Sequence, residues 1–155
     1  MSGVRPCVAR AIEEADYAQW KPLRDGYDAF YGREGPTALA QAISRTAWER
    51  FFNPQEPVFA LVAQVDDAVV GLAHFLYHRS TTRIEPSCYM QDLFTAPDRR
   101  GHGIGRALIQ EVYARARADG CGRVYWQTHA SNEAGRTLYD KVARHAGFIV
   151  YTHEL

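Results

Sequence analysis

Three glycines stand at alternate positions in the stretch Arg99-Arg100-Gly101-His102-Gly103-Ile104-Gly105-Arg106, just before an apolar run with helical spacing. A turn of this kind leaves the first N–H groups of the following helix without partners, at the positive end of the helix dipole. Glycine has no Cβ to hold an anion away from those amides, and it takes dihedral angles that other residues avoid. Arg99, Arg100 and Arg106 add fixed positive charge, so the chemistry of the stretch is the binding of a polyphosphate. Two familiar nucleotide loops do not match. A P-loop needs a Gly-Lys-Ser/Thr that is missing here, and a dinucleotide loop counted from Gly101 would need a third glycine where Arg106 stands. The region about twenty positions on, Tyr125-Trp126-Gln127, also lacks the acidic residue of a nicotinamide site.

The elements around this loop follow from periodicity. Cys7–Ile12 reads as a first strand, with Glu13, Glu14 and Asp16 placed for a helix start. Trp20, Leu23, Tyr27, Phe30 and Tyr31 mark a helix that Pro22 and Gly26 are expected to kink or break. A second helix carries Leu39, Ile43, Trp48, Phe51 and Phe52 and stops before Asn53-Pro54. VFALVAQV and AVVGLAHFLYH flank Asp66-Asp67 as a hairpin, and CYMQDLF, from Cys88 to Phe94, is the next strand. After the glycines, Ile104, Ala107, Leu108, Val112 and Ala116 form a helical stripe, with Gly120 at its C-terminal end. Arg123–His129 reads as a further strand, Asn132 and Glu133 open a last helix through Leu138, Tyr139 and Val142, and FIVYTHEL closes the chain as a final strand. A hairpin followed by strand-helix-strand crossovers implies an α/β (α+β) fold: a mixed central sheet with helices on both faces.

The residues also exclude function classes. The chain has 155 residues, enough for one domain over 1–155, and its 18 basic and 18 acidic residues argue against a nucleic-acid partner. No apolar run approaches a membrane span, and MSGVRPCVAR lacks a signal-peptide core, so a cytoplasmic location and no membrane partner are expected. Cys7, Cys88 and Cys121 are odd in number and widely spaced, which suggests small buried hydrophobes and no metal.

Arg100-Gly-His-Gly103-Ile-Gly105 resembles the acetyl-CoA motif of the Gcn5-related N-acetyltransferase (GNAT) family. Gln91-Asp-Leu-Phe-Thr-Ala-Pro97 upstream, and Trp126 to Lys141 downstream with its Asn132 and Tyr139, are similar to that family's later blocks. Among its branches the match is to the diamine/polyamine and histone/amino-acid acetyltransferases. The resemblance implies a sheet in which two parallel strands splay apart, with acetyl-CoA in the gap as co-substrate. It implies that the amides from Gly101 through His102, Gly103, Ile104 and Gly105 to Arg106 hold the pyrophosphate, beside Arg100. Backbone groups of Leu93, Phe94 and Thr95 would take the pantetheine arm and polarise the thioester, and Asn132 would touch the cofactor or simply cap its helix.

The chemistry so implied is acetyl transfer to a primary amine of a small molecule: a polyamine, diamine or amino acid. An amine must lose a proton before attack and the departing thiolate must gain one. Tyr139 matches the family's general acid. The base is less direct, because the related branch has a Glu-Asp pair where this chain has Gln91-Asp92, and adjacent strand residues face opposite ways. Asp92 through water, Glu85, His74, or amine already deprotonated in solution are the alternatives. The first helix borders the acceptor side in this family, so Tyr27 and Tyr31, with Trp20 and Phe30, are candidate aromatic contacts for an ammonium group. Six acids against three bases between residues 13 and 34 lean toward a cationic acceptor. Protein lysine or N-terminal acetylation and a non-catalytic acyl-CoA-binding module are the rival functions. Pairing of FIVYTHEL across subunits would give a homodimer.

Overall fold

The computed structural model describes residues 5–155, so the start of the segment read against a signal peptide, Met1–Val4, lies outside the described residues. Strands β1 (Cys7–Ala11), β2 (Val58–Val65), β3 (Ala68–His78), β4 (Ser87–Thr95) and β5 (Arg123–Tyr125) form one sheet in chain order. The first four are antiparallel neighbours, while β5 lies parallel to β4. Helices α1 (Tyr17–Phe30) and α2 (Gln41–Phe51) cover one face. Helix α3 (Ile104–Ala118) covers the other, and α4 (Glu133–Val142) follows β5. Helices α1 and α3 bury most of the stripes their spacing predicts, while Phe30 of α1 and Ile43 of α2 are exposed, and the remaining marked residues of α2 and α4 are only partly buried against the two cores. Leu108, Ile109 and Val112 of α3 meet Leu61, Ala73 and Met90, while Trp20, Leu23 and Tyr27 of α1 meet Val62, Leu72 and Phe94. Alternate residues of β2 and β3 feed these two cores, as the period of two requires.

Three expectations are corrected. Helix α1 is continuous from Tyr17 to Phe30, because Gly26 does not break it. That glycine is the contact point between helix and sheet, and a Cβ there would stand 3.1 Å from the Phe94 ring. The strand expected over Arg123–His129 is only Arg123–Tyr125, since pairing ends at Tyr89 opposite Tyr125 and the two chains then diverge. The final strand does not form, for β5 offers a ladder of only three residues and no other edge meets the tail. Phe148, Ile149, Val150 and Tyr151 are left 63 to 88% exposed. The cysteines behave as small hydrophobes: Cys88 is buried, which pushes its thiol up to about 12. No helix among the described residues is long and apolar enough to cross a membrane, and none of their His, Cys, Asp and Glu side chains cluster as a metal site would.

Candidate active site between the splayed strands

The gap between β4 and β5 is made by their divergence. Pairing stops at Tyr89, yet β4 runs on to Thr95. Backbone groups alternate sides along a strand, and the Ala96 amide donates to the Val70 carbonyl at 2.8 Å. The Phe94 carbonyl likewise lies against Gly71 on β3. The backbone groups of Leu93 and Thr95 therefore face the gap. Phe94 departs from the sequence expectation here, because its backbone belongs to the β3 ladder. Its ring turns to the α1 side, edge-on to Tyr27 and beneath the Arg100 guanidinium at 5.4 Å.

At the end of β4 the glycine loop opens α3, and its three glycines answer different needs. Gly101 and Gly103 both have φ of 79°, the left-handed region that glycine occupies without strain. Gly105 instead permits close approach, since a Cβ there would lie 3.3 Å from the Leu138 side chain of α4. His102 donates from Nδ1 to the Arg100 carbonyl at 2.9 Å, and Arg100 Nε donates to the Thr95 carbonyl at 3.2 Å, which together fix the turn. Buried Ile104 anchors the helix start. Among the described residues the amides of Gly101 through Arg106 donate to no protein acceptor. Converging free amides, bare backbone and the dipole of a fifteen-residue helix fit a diphosphate such as that of CoA.

β4 also carries a bulge. Met90 faces Phe75 and Asp92 faces His74, so Gln91 is an extra residue without a partner on β3. Were Gln91 paired in regular register, Asp92 would follow Cys88 and Met90 to the α3 side; with the bulge, Asp92 and Phe94 turn to the α1 side. There Asp92 is buried, accepts from His74 Nδ1 at 2.8 Å, and has Arg24 Nη1 at 3.6 Å. Arg24 also pairs with Asp28 at 3.2 Å, and Asp28 with Arg33 at 2.9 Å. Burial raises the Asp92 carboxyl, but the His74 hydrogen bond, the nearby Tyr27 hydroxyl and Arg24 outweigh it and hold it below the ordinary carboxylate range. Gln91 is exposed, and its carbonyl lies 3.5 Å from the Tyr27 hydroxyl.

The sequence candidates divide accordingly. Tyr27 and Tyr31 do come together with the site: their rings are 5.0 Å apart, and Tyr31 reaches His129 beyond β5 at 5.6 Å. Tyr139 packs edge-on against Trp126 at 5.4 Å, and burial together with neighbouring Tyr31 raises its hydroxyl above the ordinary tyrosine value. Trp20 is fully buried and lines no acceptor pocket, whereas Phe30 points outward. Glu85 sits beside Gly122, at the closed end of the strand pair and away from the gap. Half of the six acids of the first helical region are paired, Asp16 with Arg10, Asp25 with Lys21 and Asp28 with two arginines, which weakens the charge excess expected to favour a cationic acceptor. Asn132 is an N-cap: its Oδ1 accepts from the Gly135 amide at 3.2 Å and its Nδ2 donates to Thr128 at 2.9 Å. Sequence reasoning did not single out His129 or Tyr89, whose ring stacks near Tyr125 at 5.0 Å. No local pattern marks either one, because each gains its place only when the strands part.

Comparisons with known proteins agree with this geometry. Over 147 residues the chain is 33% identical to the D-amino-acid N-acetyltransferase HPA3 of Saccharomyces cerevisiae, covering 93% of this chain and 88% of that protein. It is 25% identical over 144 residues to the uncharacterized N-acetyltransferase YhfO of Bacillus subtilis, covering 92% and 93%. The fold is shared with AAC(6')-Iy in complex with a bisubstrate analogue containing CoA, at TM-score 0.82 and 14% identity over 97% of this chain and 99% of that one. Residues 20–143, which hold the glycine loop, the bulged strand and Tyr139, match the Acetyltransferase (GNAT) family, and the chain belongs to it.

Proposed function

We propose that this enzyme transfers the acetyl group of acetyl-CoA to the primary amine of a small molecule, and that the acceptor is the α-amine of an amino acid, D-amino acids foremost. The observation that carries the reaction is the gap itself: an amide cradle at one end, the uncommitted backbone of Leu93 and Thr95 along one wall, and Tyr139 and Asp92 with the aromatic rings around it. The acceptor class is supported by the likeness to the yeast D-amino-acid enzyme over nearly the whole chain. Charge also favours it over a polyamine. Arg24, Arg33, Asp28 and Asp92 form a balanced set, whereas a polycation would call for a surplus of carboxylates.

Acetyl-CoA supplies an activated acyl carbon and a thiolate leaving group. The protein does the rest. The amides of Gly101 to Arg106 and the side chain of Arg100 fix the diphosphate, and the Leu93 and Thr95 backbones hold the arm in register with the strand. An amide donor aimed at the carbonyl oxygen as it gains charge is worth about 3 kcal/mol. Asp92, ionised throughout the neutral range, attracts the acceptor ammonium and takes its proton, directly or through water. Tyr139, protonated at neutral pH, donates to the sulfur as the C–S bond breaks. Asn132 supports the site by fixing the start of the helix that carries Tyr139. Gln91 cannot accept a proton; its exposure on the bulge, with its carbonyl beside the Tyr27 hydroxyl, supports a role as an acceptor contact instead. A thiol-release assay with D- and L-amino acids, polyamines and short peptides tests the reading. Turnover with amino acids well above that with spermidine or peptides is expected, and turnover with peptides alone would refute the acceptor class.

We infer that the chain works as a homodimer. Four consecutive large apolar residues, Phe148 to Tyr151, are exposed at the end of a chain whose sheet stops at the three-residue edge strand β5. The tail of a second copy, added at that edge, would bury them and extend the ladder. Light scattering should give twice the chain mass, falling to the chain mass on truncation after Ala146; a monomer at full length would reject the assembly.

A further inference from the structure

A buried histidine with both ring nitrogens engaged is constrained in a way that its partners reveal. His74 lies opposite Ala60 on one side and Asp92 on the other, and turns into the α1 side of the sheet. Its ring is packed between Trp20 at 5.9 Å and Phe51 at 4.9 Å. Trp20 Nε1 is 2.9 Å from His74 Nε2, and an indole N–H can only donate, so Nε2 must carry the lone pair. His74 Nδ1 is 2.8 Å from Asp92 Oδ2, and a carboxylate held ionised can only accept, so Nδ1 must carry the proton. Two independent partners thus select one neutral tautomer. A proton arriving at Nε2 would meet the indole N–H head-on, so His74 cannot serve as the base that takes the acceptor's proton.

The consequence falls on Asp92. Its Oδ2 is occupied by His74 and faces Arg24 Nη1 at 3.6 Å. The Tyr27 hydroxyl is the other donor near this carboxylate, but Oδ1 makes no hydrogen bond of ordinary geometry among the described residues, and it is not sealed from solvent, since no buried side-chain oxygen is left unpartnered. We propose that Trp20 and His74 are a pair of positioning residues that hold Asp92 by Oδ2 and so present Oδ1 to the acceptor amine. This rests on the reading above that Asp92 receives the acceptor. The bulge at Gln91 is what makes it possible, because if Gln91 paired with His74 in regular register, Asp92 would sit opposite Ala73 and point away from both partners.

Nitrogen-15 NMR of histidine-labelled full-length protein at pH 7.5 tests the tautomer without any turnover. The His74 ring should appear as the neutral Nδ1–H form, and Trp20→Phe, with Asp92 still holding Nδ1–H, should move only the Nε2 signal, through loss of its indole hydrogen bond. Kinetics with acetyl-CoA and a D-amino acid supply the second arm. His74→Asn keeps an N–H where Nδ1 stood and should retain most of kcat; His74→Leu removes it and should lose about tenfold, the scale of outer positioning groups. In both variants KM for acetyl-CoA should stay unchanged. Equal thermal unfolding of the two variants separates positioning from packing. An Nε2–H tautomer in the wild type, or equal kcat for the Asn and Leu variants, overturns the pair. Undiminished turnover in Asp92→Asn would instead sink the acceptor-site reading, and the pair with it.

Discussion

Gly103→Ala and Gly120→Ala make a matched experiment on the diphosphate cradle. The two glycines flank the same helix, with φ of 79° and 83°, and a Cβ at either would meet no atom within 4 Å. Steric clash is therefore absent in both, and only the strain of an L-residue in the left-handed region remains, about 1–2 kcal/mol. At Gly120, far from the cradle, that strain should appear wholly as lost stability. At Gly103 the free loop can shed it by turning the peptide that leads into Ile104, which moves the cradle amides out of place. Binding must then restore the strained shape, so the same 1–2 kcal/mol appears as a roughly 5- to 30-fold weaker affinity. Isothermal titration with CoA, alongside thermal unfolding of each variant, reads both quantities. CoA affinity within twofold of wild type for Gly103→Ala, with stability also unchanged, would refute the claim that these amides hold the diphosphate. So would an equal loss of affinity in Gly120→Ala.

Two further outcomes follow from the site. Tyr139→Phe keeps the ring against Trp126 and removes a hydroxyl that has no protein partner among the described residues, so stability should hold. Its kcat should fall about 100-fold, the loss of one donor to developing charge, with little change in KM for acetyl-CoA; a kcat within threefold of wild type would remove Tyr139 from the chemistry. For Asp92 the native pKa is depressed, so its contribution to stability is complete above the unfolded value near 3.9 and is lost as pH falls through the native one. Asp92→Asn should thus be less stable than wild type in urea at pH 7, by less than the ~3–5 kcal/mol of a fully broken buried pair because Arg24 keeps Asp28, and the difference should shrink toward pH 3. A difference that does not change with pH would mean that the carboxylate's charge is not what matters.

Most of the fold was legible because its signals are local. The stripe from Ile104 to Ala116, the hairpin at Asp66, whose φ of 52° fits a tight turn, and the Asn132 cap all lie within a few residues of what they specify. The glycine loop was legible for the same reason. What could not be read depends on partners far along the chain. Gly26 reads as a helix breaker until Phe94, well over sixty residues later, is seen to need its bare face. The β5 and tail segments have strand-like residues, but a strand also requires an edge to pair with, and composition does not supply one. The bulge at Gln91 leaves no mark in the residue types, yet it decides which core Asp92 enters. The hydrogen bond between Trp20 and His74 spans 54 residues, so an aromatic read as an acceptor contact turned out to be the group that fixes a histidine's tautomer.

The central claim is that this chain acetylates the α-amine of an amino acid at the expense of acetyl-CoA. Purified protein with acetyl-CoA and a panel of D-amino acids should release CoA only when an acceptor is present, with the N-acetylated product identified by its mass. Tight CoA binding with no acceptor-dependent release from any amine in the panel would contradict the account and leave a binding module in place of an enzyme.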